Sequence, residues 1–256
     1  MSMSIQKAPV WKRISACIFD IMLVVSLTLV FLLALSAVMN FDGYSATLKE
    51  YLTHYQQQFQ LPNYTQAEFD ALTEAQKAEF NALQNQAFTA FFQDAEVSAT
   101  IVKFATAILI ALSISLLLAY VIVYFLVALL FKNGQSLGKK SFGLAVMRTN
   151  GVKVSNSVLL IRIVVGMFVI ETLFPLLLLA LTAVRFLGAI GVIMPILLVL
   201  LNLGVMAYTP TNSTIHDLLC DTVVVDIASQ EIFESEEALL EHKKRLAAEK
   251  AAQTEN

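Results

Sequence analysis

Apolar residues in this chain do not alternate with polar ones; they gather into four long blocks separated by polar stretches of unequal length. Residues 14–39, 98–131, 157–184 and 186–208 each exceed the about 18 residues a helix needs to cross a bilayer. Between the first two blocks, residues 40–97 are polar, with eight acids against Lys49 and Lys77. Tyr44, Leu48, Tyr51, Tyr55 and Phe59 recur at three- and four-residue steps there, as do Phe69, Leu72, Phe80, Leu83 and Phe91, which predicts amphipathic helices. Thr65 with Glu68 and Thr73 with Gln76 have the spacing of capping boxes.

The second and third blocks are joined by GQSLGKKSFGLAVMRTNG, residues 134–151. Gly134, Gly138 and Gly143 are expected to interrupt any helix. LAVMRT and VKVS around Asn150-Gly151 read as two strands on a type I′ turn, since both turn residues would need positive φ. Such a ribbon is marginal alone. The β-rich run TVVVDI, residues 222–227, is the expected third strand. A charged helix is predicted over residues 229–250.

Composition agrees with the pattern: 57% of residues are hydrophobic, 14% are charged and the mean hydropathy is +0.71. Soluble domains carry about a quarter charged residues, so a lipid bilayer is the expected surrounding. The first block is too long for the apolar core of a cleaved signal peptide and lacks a small-residue cleavage site. Lys7, Lys12, Arg13, the hinge cluster from Lys132 to Lys153, and Lys243 to Arg245 fall on one side of a four-span arrangement. Lys49, Lys77, Lys103 and Arg185 fall on the other. Basic flanks favour the cytoplasm, so both termini are expected inside and residues 41–97 outside. Cys17 and Cys220 would both sit at the cytoplasmic side, where thiols stay reduced, and no disulfide framework is expected.

The expected fold is therefore an all-α membrane protein: a four-transmembrane-helix bundle with an extracytoplasmic helical insertion and a small cytoplasmic β-ribbon. Its parts are a head and first helix (1–40), the insertion (41–97), a core (98–228) with hinge 132–157 and strand 222–227, and a charged cytoplasmic tail (229–256).

Candidate chemistry lies where ionisable groups interrupt apolar runs, because burying a charge in a span is costly and such groups face the bundle interior. At about 1.5 Å per residue, Asp20 lies roughly 9 Å from the cytoplasmic end of its span, Arg162 roughly 6 Å and Asn202 roughly 9 Å. The three share a level, so Asp20 is expected to meet Arg162, with Asn202 as a neutral partner. Arg13 shares a face with Asp20 but lies about 10 Å away along the helix. Glu171 falls about 20 Å along its span, where Lys103 and Arg185 are the basic groups at a similar level. Pro175 and Pro195 are expected to kink their helices. His216-Asp217 follows the fourth span; Asp217 either closes a capping box with Thr214 or reaches Arg13, Lys139 or Lys140. His216 reads as a pH sensor or as a plain interfacial histidine. Lys139 and Lys140 suit anionic lipid headgroups. An Asp/Arg cluster of this kind is either a clasp that sets helix register or a site for a proton or monovalent cation.

No HExxH, GxSxG or phosphate-loop spacing is present, and three scattered histidines with two cysteines make no metal site. Neither an enzyme activity nor a cofactor is expected. The net charge of −3 sums unlike regions and points to no nucleic-acid partner. Four spans enclose little room, so a transporter built this way is expected to be a homo-oligomer.

Three motifs in order resemble the RDD family of bacterial membrane proteins, named for one arginine and two aspartates. They are Arg13 and Asp20 in WKRISACIFD, the GQSLGKKSFGLAVMRTNG segment, and HDLLCDTVVV. The resemblance frames about residues 10–40 and 98–227 and makes Arg13, Asp20 and Asp217 the naming triad. Cys220-Asp221 stands where the family has Ala-Gly, residues 44–97 look like an insertion, and the tail lies outside the match. The resemblance implies a multi-span protein of the bacterial plasma membrane assumed to transport, with some members described as sodium/proton antiporters. The alternative is a non-transporting membrane scaffold or interaction protein whose charged cluster is structural.

Overall fold

The computed structural model describes residues 6–131, 133–183 and 186–254. Lys132 and Arg185, used above to orient the chain, lie outside them. Four helices are long and apolar enough to cross a membrane: α1 (Val10–Val38), α5 (Ala95–Phe131), α7 (Asn156–Ala183) and α8 (Ile190–Tyr208). Each buries only 11–28% of its most apolar window within the chain, so the remaining apolar surface requires lipid or another chain. The chain divides into two compact units.

One unit, Val30–Ile114, contains α2 (Phe41–Gln58), α3 (Gln66–Asp70) and α4 (Glu74–Gln93) with the adjoining parts of α1 and α5. Both predicted capping boxes are present, on Thr65 and Thr73. The aromatic stripes also pack as the periodicity implied. Tyr55 meets Phe91 edge-on at 5.8 Å between centroids and donates to Asp94 Oδ2 at 2.7 Å, and Tyr44 stacks on Phe104 at 5.5 Å.

The other unit, Met1–Leu29 with Ser115–Asn256, carries the hinge, the ribbon and the tail. Strands β1 (Leu144–Arg148) and β2 (Thr222–Asp226) pair antiparallel, Leu144 opposite Asp226 and Arg148 opposite Thr222. One ribbon face, Leu144, Val146 and Val224, joins a core with Ala16, Tyr124, Leu159 and Ile163. The opposite face, Ala145, Met147, Val223 and Val225, packs under Ile232. Burial on both faces explains why these strands are apolar runs and not alternating ones.

The ribbon departs from expectation in three ways. VKVS forms only a bridge from Lys153 to Met147, because Val152 bridges to Phe233 and Lys153 N–H donates to the Phe233 carbonyl at 2.8 Å. Of Asn150 and Gly151 only Gly151 has positive φ (91°), and its N–H closes a turn on the Arg148 carbonyl, so the turn is not type I′. The chain start, invisible as a strand, supplies a bridge from Lys7 to Val225 on the other edge of β2.

Gly138 also behaves unexpectedly. It lies inside a one-turn helix, α6 (Leu137–Ser141), started by Ser136. A Cβ there would lie 2.3 Å from the Ala16 carbonyl oxygen and 2.8 Å from Asp20 Oδ1, so glycine permits the close approach to α1. The tail helix α10 spans Glu236–Thr254, a few residues later than the composition implied.

The charged core beneath the ribbon

Asp20, 1% exposed, sits on α1 where α6 crosses it. Gly138 N–H donates to Oδ1 at 2.8 Å, Ser136 Oγ donates to Oδ2 at 2.5 Å, and Lys139 Nζ lies 3.8 Å from Oδ2. Asp20 therefore does not meet Arg162, the partner that counting depth along straight helices assigns to it. Lys139 turns inward, with its Nζ 5.3 Å from the Tyr124 ring centre, and burial pushes its ammonium down while Asp20 pulls it up. Lys140, by contrast, is exposed and rests on the Phe131 ring.

Arg162 instead holds Asp217, which is fully buried. Its Nη2 and Nε approach Asp217 Oδ1 at 2.6 Å and 3.1 Å. Arg13 Nη2 donates to Oδ2 at 3.1 Å, and Arg13 Nη1 donates to the Asn212 carbonyl. Thr214 Oγ1 lies 2.8 Å from Oδ2, and Thr222 Oγ1 lies 3.4 Å from Oδ1. Burial alone would raise the Asp217 carboxyl, but Arg162, His216 and Arg13 outweigh it and hold it well below the usual carboxylate range. Both sequence readings of Asp217 are realised together: it accepts from Thr214 N–H at 3.2 Å as a capping box does, and it also reaches Arg13.

What brings Asp217 to Arg162 is a turn back after α8. Residues 209–214 reverse the chain, and the short helix α9 (Ile215–Leu219) packs on α7. Ile215 N–H donates to Asn202 Oδ1 at 3.2 Å, and Asn202 precedes the end of α8 by six residues, about 9 Å. Backbone folded back to that level must find internal partners. It does: Ser213 N–H binds Thr209 Oγ1 at 2.7 Å, Thr214 N–H binds Asp217, and His216 N–H binds Glu171 Oε1 at 3.2 Å. Gly166 makes room, since a Cβ there would lie 2.6 Å from His216 Cβ.

The same turn explains Glu171. It meets His216, whose Nδ1 lies 2.9 Å and 2.8 Å from its two oxygens. Helix α7 is wound as a π-helix over Arg162–Leu173, a form concentrated at functional sites. A cavity of about 240 Å³ adjoins this core, and Arg13, Asp20, Tyr124, Lys139, Arg162 and His216 line it. Lys12, which pairs with Asp226 at 2.5 Å and ties α1 to β2, carried no signal in the sequence beyond its place beside Arg13. Among the described residues no three His, Cys, Asp or Glu side chains converge as metal donors would.

Comparison with known proteins bears on this geometry at one point: the sequence model of the RDD family matches residues 7–221. No curated protein and no solved structure matches the chain.

Proposed function

This chain belongs to the RDD family, whose members are membrane proteins, and from that premise we propose that it is a membrane transport protein or transport accessory working by cation/proton exchange. The observation that carries the reading is the cavity of about 240 Å³ with Asp20, Arg13, Lys139, Arg162 and His216 on its wall. A cavity bordered by several ionisable groups is what a solute or proton pathway requires, and charges in spans mark such pathways. The bilayer is taken to be the bacterial plasma membrane, with both termini cytoplasmic and residues 41–97 outside, as the basic flanks favour. Lys140 would face anionic headgroups, the working unit would be a homo-oligomer, and no catalytic reaction is assigned.

A second reading has its own support: Asp20 accepts from Ser136 and Gly138, and Asp217 from Arg162 and Arg13, as in a structural clasp. In that reading the protein is a scaffold, and the charges pin ribbon and turn to the helices.

A vesicle assay separates the two. Purified protein is reconstituted with an internal pH dye, and a sodium or potassium gradient is imposed. Cation-driven proton flux in wild type that is lost in Asp20→Asn, with assembly intact, supports exchange. Flux absent from wild type removes it and leaves the scaffold, and flux equal in wild type and Asp20→Asn removes Asp20 from the pathway.

A further inference from the structure

The hydrogen bonds around Thr214 constrain the protonation of its neighbours. Its hydroxyl carries one hydrogen, yet Oγ1 lies 2.8 Å from Asp217 Oδ2 and 2.9 Å from His216 Nε2. Asp217, clamped by two guanidiniums, is ionised and accepts only. On its other side the imidazole faces the Glu171 carboxylate through Nδ1, and the His216 backbone N–H donates to the same carboxylate.

Two arrangements fit these distances. When His216 is neutral, Nδ1–H donates to Glu171 and Nε2 has a lone pair, so Thr214 must turn its hydrogen to the ring and away from Asp217. When the ring holds a second proton, Nε2–H donates to Thr214 Oγ1, and the Thr214 hydrogen is free to serve Asp217. We propose that the Glu171–His216 pair is the proton-binding site of this core, and that the single hydroxyl hydrogen of Thr214 passes its state to the Arg13–Asp217–Arg162 cluster. On release the proton leaves Nε2 for the cavity, Nδ1–H stays on the Glu171 carboxylate, and the charge of the pair falls from zero to minus one.

The surroundings set where release occurs. From α7, Glu171 and Arg162 face the ring; from its own turn, Asp217 Oδ1 lies 3.9 Å from Nε2. Asn202 of α8 and Thr222 of β2, both neutral, are the polar groups those elements bring to this turn, and Arg13, Asp20 and Lys139 line the same cavity. Burial and then Arg162 push the imidazolium down from its ordinary range, and Asp217 and Glu171 partly restore it. Asp20 and Asp217 are held by several donors each, whereas His216 is a group whose ordinary charge change falls between about pH 5 and 8.

The proposal deepens the exchange reading and rests on it for any consequence in flux, whereas proton binding is read without transport. The full chain, labelled with ring-15N histidine, is titrated by NMR in lipid nanodiscs, with His54→Gln and His242→Gln in the background to isolate His216. Expected is one transition below about pH 6.5, the free-histidine value, leaving the neutral ring protonated on Nδ1. Glu171→Gln and Thr214→Val should each move it lower, and Thr214→Ser should leave it in place. A neutral ring protonated on Nε2 in wild type, which needs no variant to fold, overturns the proposal. So does a transition identical in wild type, Glu171→Gln and Thr214→Val. Normal titration in a protein without flux would remove the exchange reading alone.

Discussion

Asp217→Asn is the sharpest test of how the bundle is held together. The substitution keeps size and shape but removes the counter-charge of two guanidiniums, one of them, Arg162, only 2% exposed. It also turns an amide N–H₂ toward donors on one side of the group, either Arg162 Nε and Nη2 where Oδ1 was or Arg13 Nη2 and Thr214 N–H where Oδ2 was. Breaking one side of a buried ion pair costs about 3–5 kcal/mol, a large share of the about 5–15 kcal/mol that holds a typical protein folded. Asp221 supplies the comparison. Its partner Arg148 lies 3.3 Å away, but the side chains are 57% and 39% exposed, and Asn tolerates its positive φ of 50°. An exposed pair is worth about 0–1 kcal/mol. Denaturant unfolding in detergent micelles at neutral pH should therefore separate Asp217→Asn from Asp221→Asn by at least about 2 kcal/mol, the gap between those two ranges. Equal losses would refute the assignment of Asp217 as the buried hub. The pH dependence carries a definite sign. A carboxyl held below its ordinary value of about 3.9 contributes stability above that pH and loses it as pH falls toward the folded-state value. Wild type should thus lose this contribution only in strong acid, whereas Asp217→Asn should lack it throughout.

Three further substitutions test the packing. Gly138→Ala should cost about 1–3 kcal/mol in the same unfolding assay, because its Cβ would meet the Ala16 carbonyl oxygen, which is backbone and cannot rotate away. Gly204→Ala should be neutral or stabilise by up to about 1 kcal/mol, since it lies within α8 with nothing within 4 Å of the new methyl. Phe91→Ala should cost about 3–5 kcal/mol and loosen α2 from α4, seen as faster amide exchange confined to residues 41–93, because Phe91 is buried against Tyr55.

The outline of this fold was legible because bilayer helices leave a length signature and helix starts leave a capping one. Four apolar blocks became four helices, and Thr65, Thr73 and Thr214 mark helix starts as their spacing implied. The charge partners were not legible. Depth counted along straight helices put Asp20 opposite Arg162, but that count assumes the chain leaves the bundle after α8. Residues 209–214, TPTNST, carry enough hydroxyls and amides to satisfy a backbone folded back among helices, and that density is the mark of the turn in the sequence. Gly138 and Gly166 were the other clues: both sit where a second segment presses on a helix, and their role depends on a neighbour distant in the chain. Strand pairing failed for a related reason. Asn-Gly favours a tight hairpin locally, but Lys153 is drawn to Phe233, more than 70 residues away.

The bond between Arg13 and Asp217 spans 204 positions of chain. At about 5–20 residues per second, a ribosome that has just finished the first helix needs roughly 10–40 s to make the carboxylate that neutralises it. Over that interval the arginine must wait at the membrane border, and a nascent chain stopped short of Thr214 never acquires its counter-ion. Closure of this core therefore waits until nearly the whole bundle has been made, and until then Arg13 has no Asp217 to neutralise it.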